Sequence, residues 1–193
     1  MPQKRGKNMD LLEIMRNRRS VRKYTGEHIE DEKIEKVLQA GMLSASAKAR
    51  RPWEFIVVRD KDTLEKMALA RTHGAAMLKG ADAAVVVIAD TEKIDVWVED
   101  CSAVMSNMHL MADWLGLGSC WIQGRLRMAA EPDAASGQVG ETTEEYLRKL
   151  LGFPENYALE AMLSLGMPDS HPEPYDVQKL TAELADKIHR ERY

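Results

Sequence analysis

The chain of 193 residues holds only two cysteines and two phenylalanines, and it lacks most of the signatures that announce a chemistry. Cys101 and Cys120 have neither metal-ligand nor redox spacing, and both lie in apolar stretches. Buried thiols in a reducing cytoplasm are therefore expected rather than a disulfide. His28, His73, His109, His171 and His189 show no metal-ligand spacing, so no metal site is expected. Nor is there a GxGxxG, a P-loop or a Gly-x-Ser-x-Gly, which removes support for a classical dinucleotide fold, a nucleoside triphosphate fold and a serine nucleophile elbow. No run of 18 apolar residues occurs. The longest, Ala83 to Ala89, has the length of a strand, and no membrane span is expected. The basic start, Met1 to Asn8, is followed by no apolar region or cleavage site, so residues 1–8 read as a disordered basic tail and the protein as cytoplasmic.

What is present is an ordinary globular composition, 45% hydrophobic and 30% charged. Residues 9–193 read as a single domain, long enough to bury about 70% of its unfolded surface. The net charge of −4 hides an asymmetry: residues 1–51 carry 13 Lys and Arg against 7 Asp and Glu, and the remainder 14 against 24. Segregation of this kind fits an anionic ligand held by the N-terminal third. Its focus is Arg18-Arg19-Ser20-Val21-Arg22, a donor-rich cluster with almost no acceptors. On composition alone this run is a solvated basic helix end, a phosphate site or a nucleic-acid surface.

Hydrophobic periodicity predicts a short helix at 10–18 and a second at about 31–44, with Ile34, Val37, Leu38, Gly41 and Met42 on one face. A strand is expected from Trp53 to Val58. Asp62 and Glu65 suggest a capped helix running to about Lys79. Ala83 to Ala89 suits a strand buried on both faces. The longest helix, about 97–115, has an apolar face wide enough to be buried on most sides. Further strands are expected at Ser119 to Gln123 and Ala158 to Leu165. A long loop is expected over Arg125 to Glu141, a helix capped by Thr142 and Glu145, and a C-terminal helix with Val177, Leu180, Leu184 and Ile188 on one face. The fold class is α+β.

The order and spacing of several segments carry more than any one of them. The arginine–serine run is followed by Ala45-Ser46-Ala47-Lys48-Ala49-Arg50-Arg51-Pro52-Trp53, by Gly118-Ser119-Cys120-Trp121-Ile122, and by Leu165-Gly166-Met167-Pro168. From about residue 9 to the C-terminus the chain resembles the nitroreductase family of FMN-dependent oxidoreductases. The resemblance implies a three-layer α/β/α sandwich with a mostly antiparallel central sheet. It also implies a homodimer whose C-terminal segments embrace the partner, and NADH or NADPH as electron donor to a small-molecule acceptor such as a nitroaromatic or quinone. By the same resemblance Arg18, Arg19, Ser20 and Arg22 bind FMN. The stretch Ala45, Ser46, Ala47, Lys48 and Arg51 closes over the flavin of the partner subunit. Ile122, Gln123 and Gly124 approach the ring near N5, and Lys187 and Arg190 meet the phosphate. No side chain is expected to act as catalytic acid, base or nucleophile, because the cofactor carries the chemistry. The family's usual Asn and Gln before Pro-Trp stand here as Ala49 and Arg51. The same fold with another flavin reaction (reductive dehalogenation, flavin breakdown, enone reduction) is an alternative. A non-enzymatic anion-binding protein is a second one, but the acidic whole chain and the lack of aromatic residues among the basic ones speak against nucleic acid.

Overall fold

The computed structural model describes residues 10–130 and 140–193. Its element order is α1 (Leu11–Asn17), α2 (Asp31–Met42), β1 (Trp53–Val58), α3 (Lys61–Met67), β2 (Ala83–Asp90), α4 (Trp97–Trp114), β3 (Gly118–Gln123), α5 (Thr143–Leu151), β4 (Tyr157–Gly166) and α6 (Val177–Leu184). The expected tail at 1–8 and the middle of the expected loop, 131–139, lie outside the described residues.

The four strands form one sheet in the order β1-β2-β4-β3, antiparallel throughout. Because side chains alternate across a strand, the apolar run of β2 feeds two cores at once. Val85 and Val87 pack on one face with Ile34 and Val37 of α2 and with Val104, Met105 and Met108 of α4. Val86 and Ile88 pack on the other with Leu64 and Met67 of α3 and Leu147 of α5. Helices thus cover both faces, which gives the three-layer sandwich implied by the resemblance. No helix among the described residues is long and apolar enough to cross a membrane.

Most boundaries fall within a residue or two of their predicted positions. The helix expected from Asp62 to Lys79 does not form as one element. Asp60, not Asp62, is its cap, accepting from both the amide (2.8 Å) and hydroxyl (2.6 Å) of Thr63. The helix then ends at Met67, and a separate short 3-10 helix spans Ala76–Gly80. The intervening backbone bonds sideways instead: Thr72 donates to the Met128 carbonyl (3.2 Å), and Leu69 accepts from Ala130 (2.9 Å). The Thr142/Glu145 pair is a complete capping box, and α5 stops at Gly152 in the left-handed region, φ 77°.

Two contacts carry the arginine run onto the sheet. Ser20 bridges Ser119 in parallel, and Val21 donates to the Ser119 carbonyl at 2.9 Å. The run therefore extends the sheet beyond β3. Tyr24 pins its far end, with the hydroxyl bonded to the Val21 carbonyl (2.9 Å) and to Ser164 Oγ (2.7 Å). Glycine is required at 166, because a Cβ there would lie 2.5 Å from the Tyr24 ring.

Candidate functional site

Arg18 leaves the end of α1 half-buried against α4, where one guanidinium nitrogen lies 2.9 Å from His109 Nε2. An arginine can only donate. His109 Nε2 is therefore the acceptor, and the proton sits on Nδ1, which donates to Ser119 Oγ at 2.5 Å. Burial and the neighbouring Arg18 push His109 down to about 4, so the imidazole is neutral near pH 7. The chain Arg18–His109–Ser119 fixes the guanidinium beside the edge that Ser20 and Val21 extend. Arg22 is exposed and, with Ser20, lies against the buried Cys120 thiol. Burial raises the pKa of Cys120 and pushes that of Cys101 up to about 12. Both are free, inert thiols, as the sequence suggested. The donor set at this corner is Arg18, Ser20 and Arg22, and no carboxylate makes an ion pair with either arginine among the described residues.

Arg19 is not part of that set. The segment from His171 to Tyr175 crosses beside the run and takes it: the Arg19 guanidinium lies 4.5 Å over the Tyr175 ring and donates to the Glu173 carbonyl. Arg16 secures the same crossing, donating from Nε to the Tyr175 carbonyl (3.0 Å) and accepting from the Tyr175 amide (3.0 Å).

The loop before Pro52 is anchored elsewhere. Ala47 donates its amide to Asp100 Oδ1 at 2.9 Å, and Arg51 donates its amide to Ser46 Oγ at 3.1 Å. Asp100 and His109 are nine residues apart on α4, about 13 Å along the axis. Within one chain the loop and the arginine corner are thus anchored at separate points of α4. Ala45, Lys48, Ala49 and Arg51 are all exposed. Lys48, Ala49 and Arg51 adopt φ of 51°, 53° and 44°, a conformation that costs a side-chain-bearing residue roughly 1–2 kcal/mol. Left-handed backbone is thus gathered in one exposed loop. Asparagine tolerates this conformation better than alanine. Ala49→Asn is expected to stabilise the fold by about 0.5–1 kcal/mol, raising the thermal midpoint by ~2 °C. An unchanged or lowered midpoint would show that the loop is not strained at this residue.

At the far end of β3 the expected residues turn inward. Ile122 is buried in the core, and Gly124 is buried with its amide on the Glu160 carbonyl (3.1 Å). A Cβ on Gly124 would stand 2.4 Å from the buried Leu159, so core packing is what requires glycine there. The Gln123 amide accepts from Trp121 Nε1 (2.9 Å) and donates to the Glu160 carbonyl (3.2 Å). Lys187 and Arg190 lie on the exposed stretch after α6.

The sequence offers Asp100 and His109 only as an acid–base pair, which their spacing on α4 rules out, and it gives Ser119 and Glu160 no site role of their own. Asp100 and His109 left a signal: they interrupt the wide apolar face of α4, and buried polar side chains need partners. Glu160 is buried with Oε2 unpartnered, and burial raises its pKa.

Comparison with known proteins gives one consistent answer. A family model described as Nitroreductase family matches residues 15–76 and 69–167. An Archaeoglobus fulgidus protein named for NADH dehydrogenase/NAD(P)H nitroreductase is 40% identical over 188 residues, covering 95% of this chain and 99% of that protein. Among solved structures, an FMN-dependent nitroreductase from Clostridium difficile R20291 superposes with a TM-score of 0.85 at 39% identity, covering 95% of this chain and all of that one. A Desulfovibrio desulfuricans nitroreductase solved in complex with FMN shares the fold, with a TM-score of 0.71 at 24% identity over 96% of this chain and 99% of that one.

Proposed function

From the premise that this chain belongs to the nitroreductase family and is an oxidoreductase, we propose that it binds FMN at the Arg18–Ser20–Arg22 corner. There it uses NADH or NADPH to reduce a small acceptor such as a nitroaromatic or a quinone. The observation that carries this reading is the corner itself: two guanidiniums and a hydroxyl, the guanidiniums without an ion-paired carboxylate among the described residues and one of them oriented by a neutral histidine. That donor set fits FMN, whose phosphate and pyrimidine edge require cations and N–H or O–H donors. FMN, when held there by Arg18, Ser20 and Arg22, would supply the redox chemistry between donor and acceptor.

The side chains bind, orient and shield. Arg18 and Arg22 supply positive charge, Ser20 a hydroxyl, and His109 holds Arg18 without adding a charge of its own. The loop Ala45–Arg51 is assigned to the flavin of the partner subunit, so a complete site requires two chains. An apolar face supports the homodimer: Leu12 is 70% and Leu43 86% exposed, with Leu11, Met15, Met42 and Trp114 also open. A cavity of about 330 Å³ lies among them, lined by Leu11, Ile14, Leu43, Leu110, Met111 and Trp114. Patches of this kind mark interaction surfaces. Helix α6 buries no residue in its own chain, which fits an arm reaching a partner.

Steady-state NAD(P)H oxidation tests the reaction. Parallel double-reciprocal lines with a quinone or nitro acceptor are expected from a two-chain species. No oxidation by FMN-loaded protein with any such acceptor would refute the reading.

A further inference from the structure

β4 carries a bulge. Val87 pairs with Ala161 and Ile88 with Leu159, so Glu160 is the extra residue, with no partner on β2. A bulge bends its strand and re-aims the side chain of the extra residue. Here the Glu160 carbonyl takes the Gly124 and Arg125 amides (3.1 and 2.9 Å), and the residue is only 3% exposed. Its Oε1 accepts from Gln123 Nε2 at 3.4 Å, and the buried Oε2 has no partner. The titratable and charged groups that face the carboxyl are Arg125, from the turn after β3, and Glu99 and Cys101 from α4. Gln123 of β3 and Val87 and Ile88 of β2 carry no charge. Burial, with a smaller push from Glu99, raises the carboxyl's pKa against Gln123 and Arg125.

Arg125 is the only cation in that set, yet it is engaged elsewhere. Its guanidinium lies 5.6 Å over the Trp97 ring, near the outer reach of a cation–π contact. Among the described residues it makes no ion pair with Glu160. A buried carboxylate with an unfilled oxygen and a guanidinium close by is strongly disfavoured unless the two pair. The arrangement is therefore that of a carboxylic acid, which leaves the cation to stack. Loss of the proton reverses the balance, because opposite charges attract strongly in a low-dielectric interior and the stack is held only at its outer limit. Trp97, Gly124, Arg125, Leu126 and Ala158 also line a cavity of about 240 Å³, so the position of Arg125 decides what that cavity presents.

We propose that Arg125 is a two-position gate on this cavity: it stacks on Trp97 while Glu160 holds its proton, and it moves to the Glu160 carboxylate when that proton leaves to solvent, baring the indole face. The gate uses residues of one chain and stands apart from the cofactor reading.

The test incorporates 5-fluorotryptophan into the full-length protein and follows the fluorine resonances of its four tryptophans against pH, with and without FMN. Trp97→Phe identifies the Trp97 signal. In wild type this signal is expected to move through one titration with its midpoint above the ordinary carboxyl value of 4.5. Trp121, which donates to Gln123 and so reaches Glu160 (2.9 and 3.4 Å), is expected to move with the same midpoint. In Glu160→Gln neither signal follows that titration. In Arg125→Gln the Trp97 signal loses it while Trp121 keeps it, which separates movement of the gate from titration of the carboxyl. A Trp97 signal that stays fixed in wild type, or that titrates equally in Arg125→Gln, would overturn the proposal. Should Glu160→Gln fail to fold, the wild-type and Arg125→Gln comparison still decides it.

Discussion

Replacing Arg18 and Arg22 together by alanine is expected to give a folded protein that no longer retains FMN. Both side chains are free to go in structural terms. Arg22 is exposed, and Arg18 meets His109, which can accept from water instead. Each arginine is assigned a charge-assisted hydrogen bond to the cofactor, worth about 1.5–3 kcal/mol. Losing two lowers FMN affinity by roughly 10²–10⁴-fold. A fluorescence titration of the stripped variant against FMN measures this directly, with the thermal midpoint as the control for folding. Arg19→Ala is the informative contrast. Its guanidinium is spent on Tyr175 and Glu173, so FMN affinity should change by less than about threefold.

The second large effect is a pH dependence that belongs to His109. The ordinary histidine value is 6.5, and burial first, then Arg18, lower it to about 4 in the fold; Arg22 also lowers it, while Asp113 acts the other way. Between these values the unfolded chain takes up a proton that the folded chain refuses. Stability therefore falls as pH drops from 6.5 towards 4, and the contribution is fully present only above 6.5. The full shift corresponds to about 3 kcal/mol. His109→Gln keeps an acceptor for Arg18 and a donor for Ser119 but does not titrate. At pH 8 the variant is expected to be less stable than wild type, through imperfect geometry. That deficit should shrink or reverse by pH 4.5. Denaturant midpoints of both proteins across this range isolate His109, because every other titrating group is common to the pair. A difference that stays constant with pH would show that His109 is not held neutral by Arg18 and the core.

The layers were legible because they depend on patterns the sequence states outright. The unbroken apolar run of β2 demanded cover on both faces, and the broad stripe of α4 demanded burial. The capping box at Thr142 and the left-handed Gly152 marked α5 without ambiguity. The helix forecast to Lys79 failed because local capping says nothing about the 128–130 segment that competes for the backbone beyond Met67. The arginine run was readable as an anion site, but not how its members divide. Arg18 faces His109 and Arg19 faces Tyr175, through partners 91 and 156 positions away in sequence. The Gln123–Gly124 pair shows the same limit. The resemblance points its backbone at the cofactor; that the pair packs on Leu159 and bonds to Glu160 of the adjacent strand is set by residues 35 and 37 positions on.

The most direct measurement is the absorbance spectrum of the purified protein, before and after FMN and then NADPH or NADH are added. Flavin bands near ~450 nm that stay with the protein through gel filtration, approach one FMN per chain and bleach on adding the donor are expected if the Arg18–Ser20–Arg22 corner is a redox cofactor site. A colourless protein that retains no FMN from excess and leaves NADPH and NADH unoxidised would contradict it.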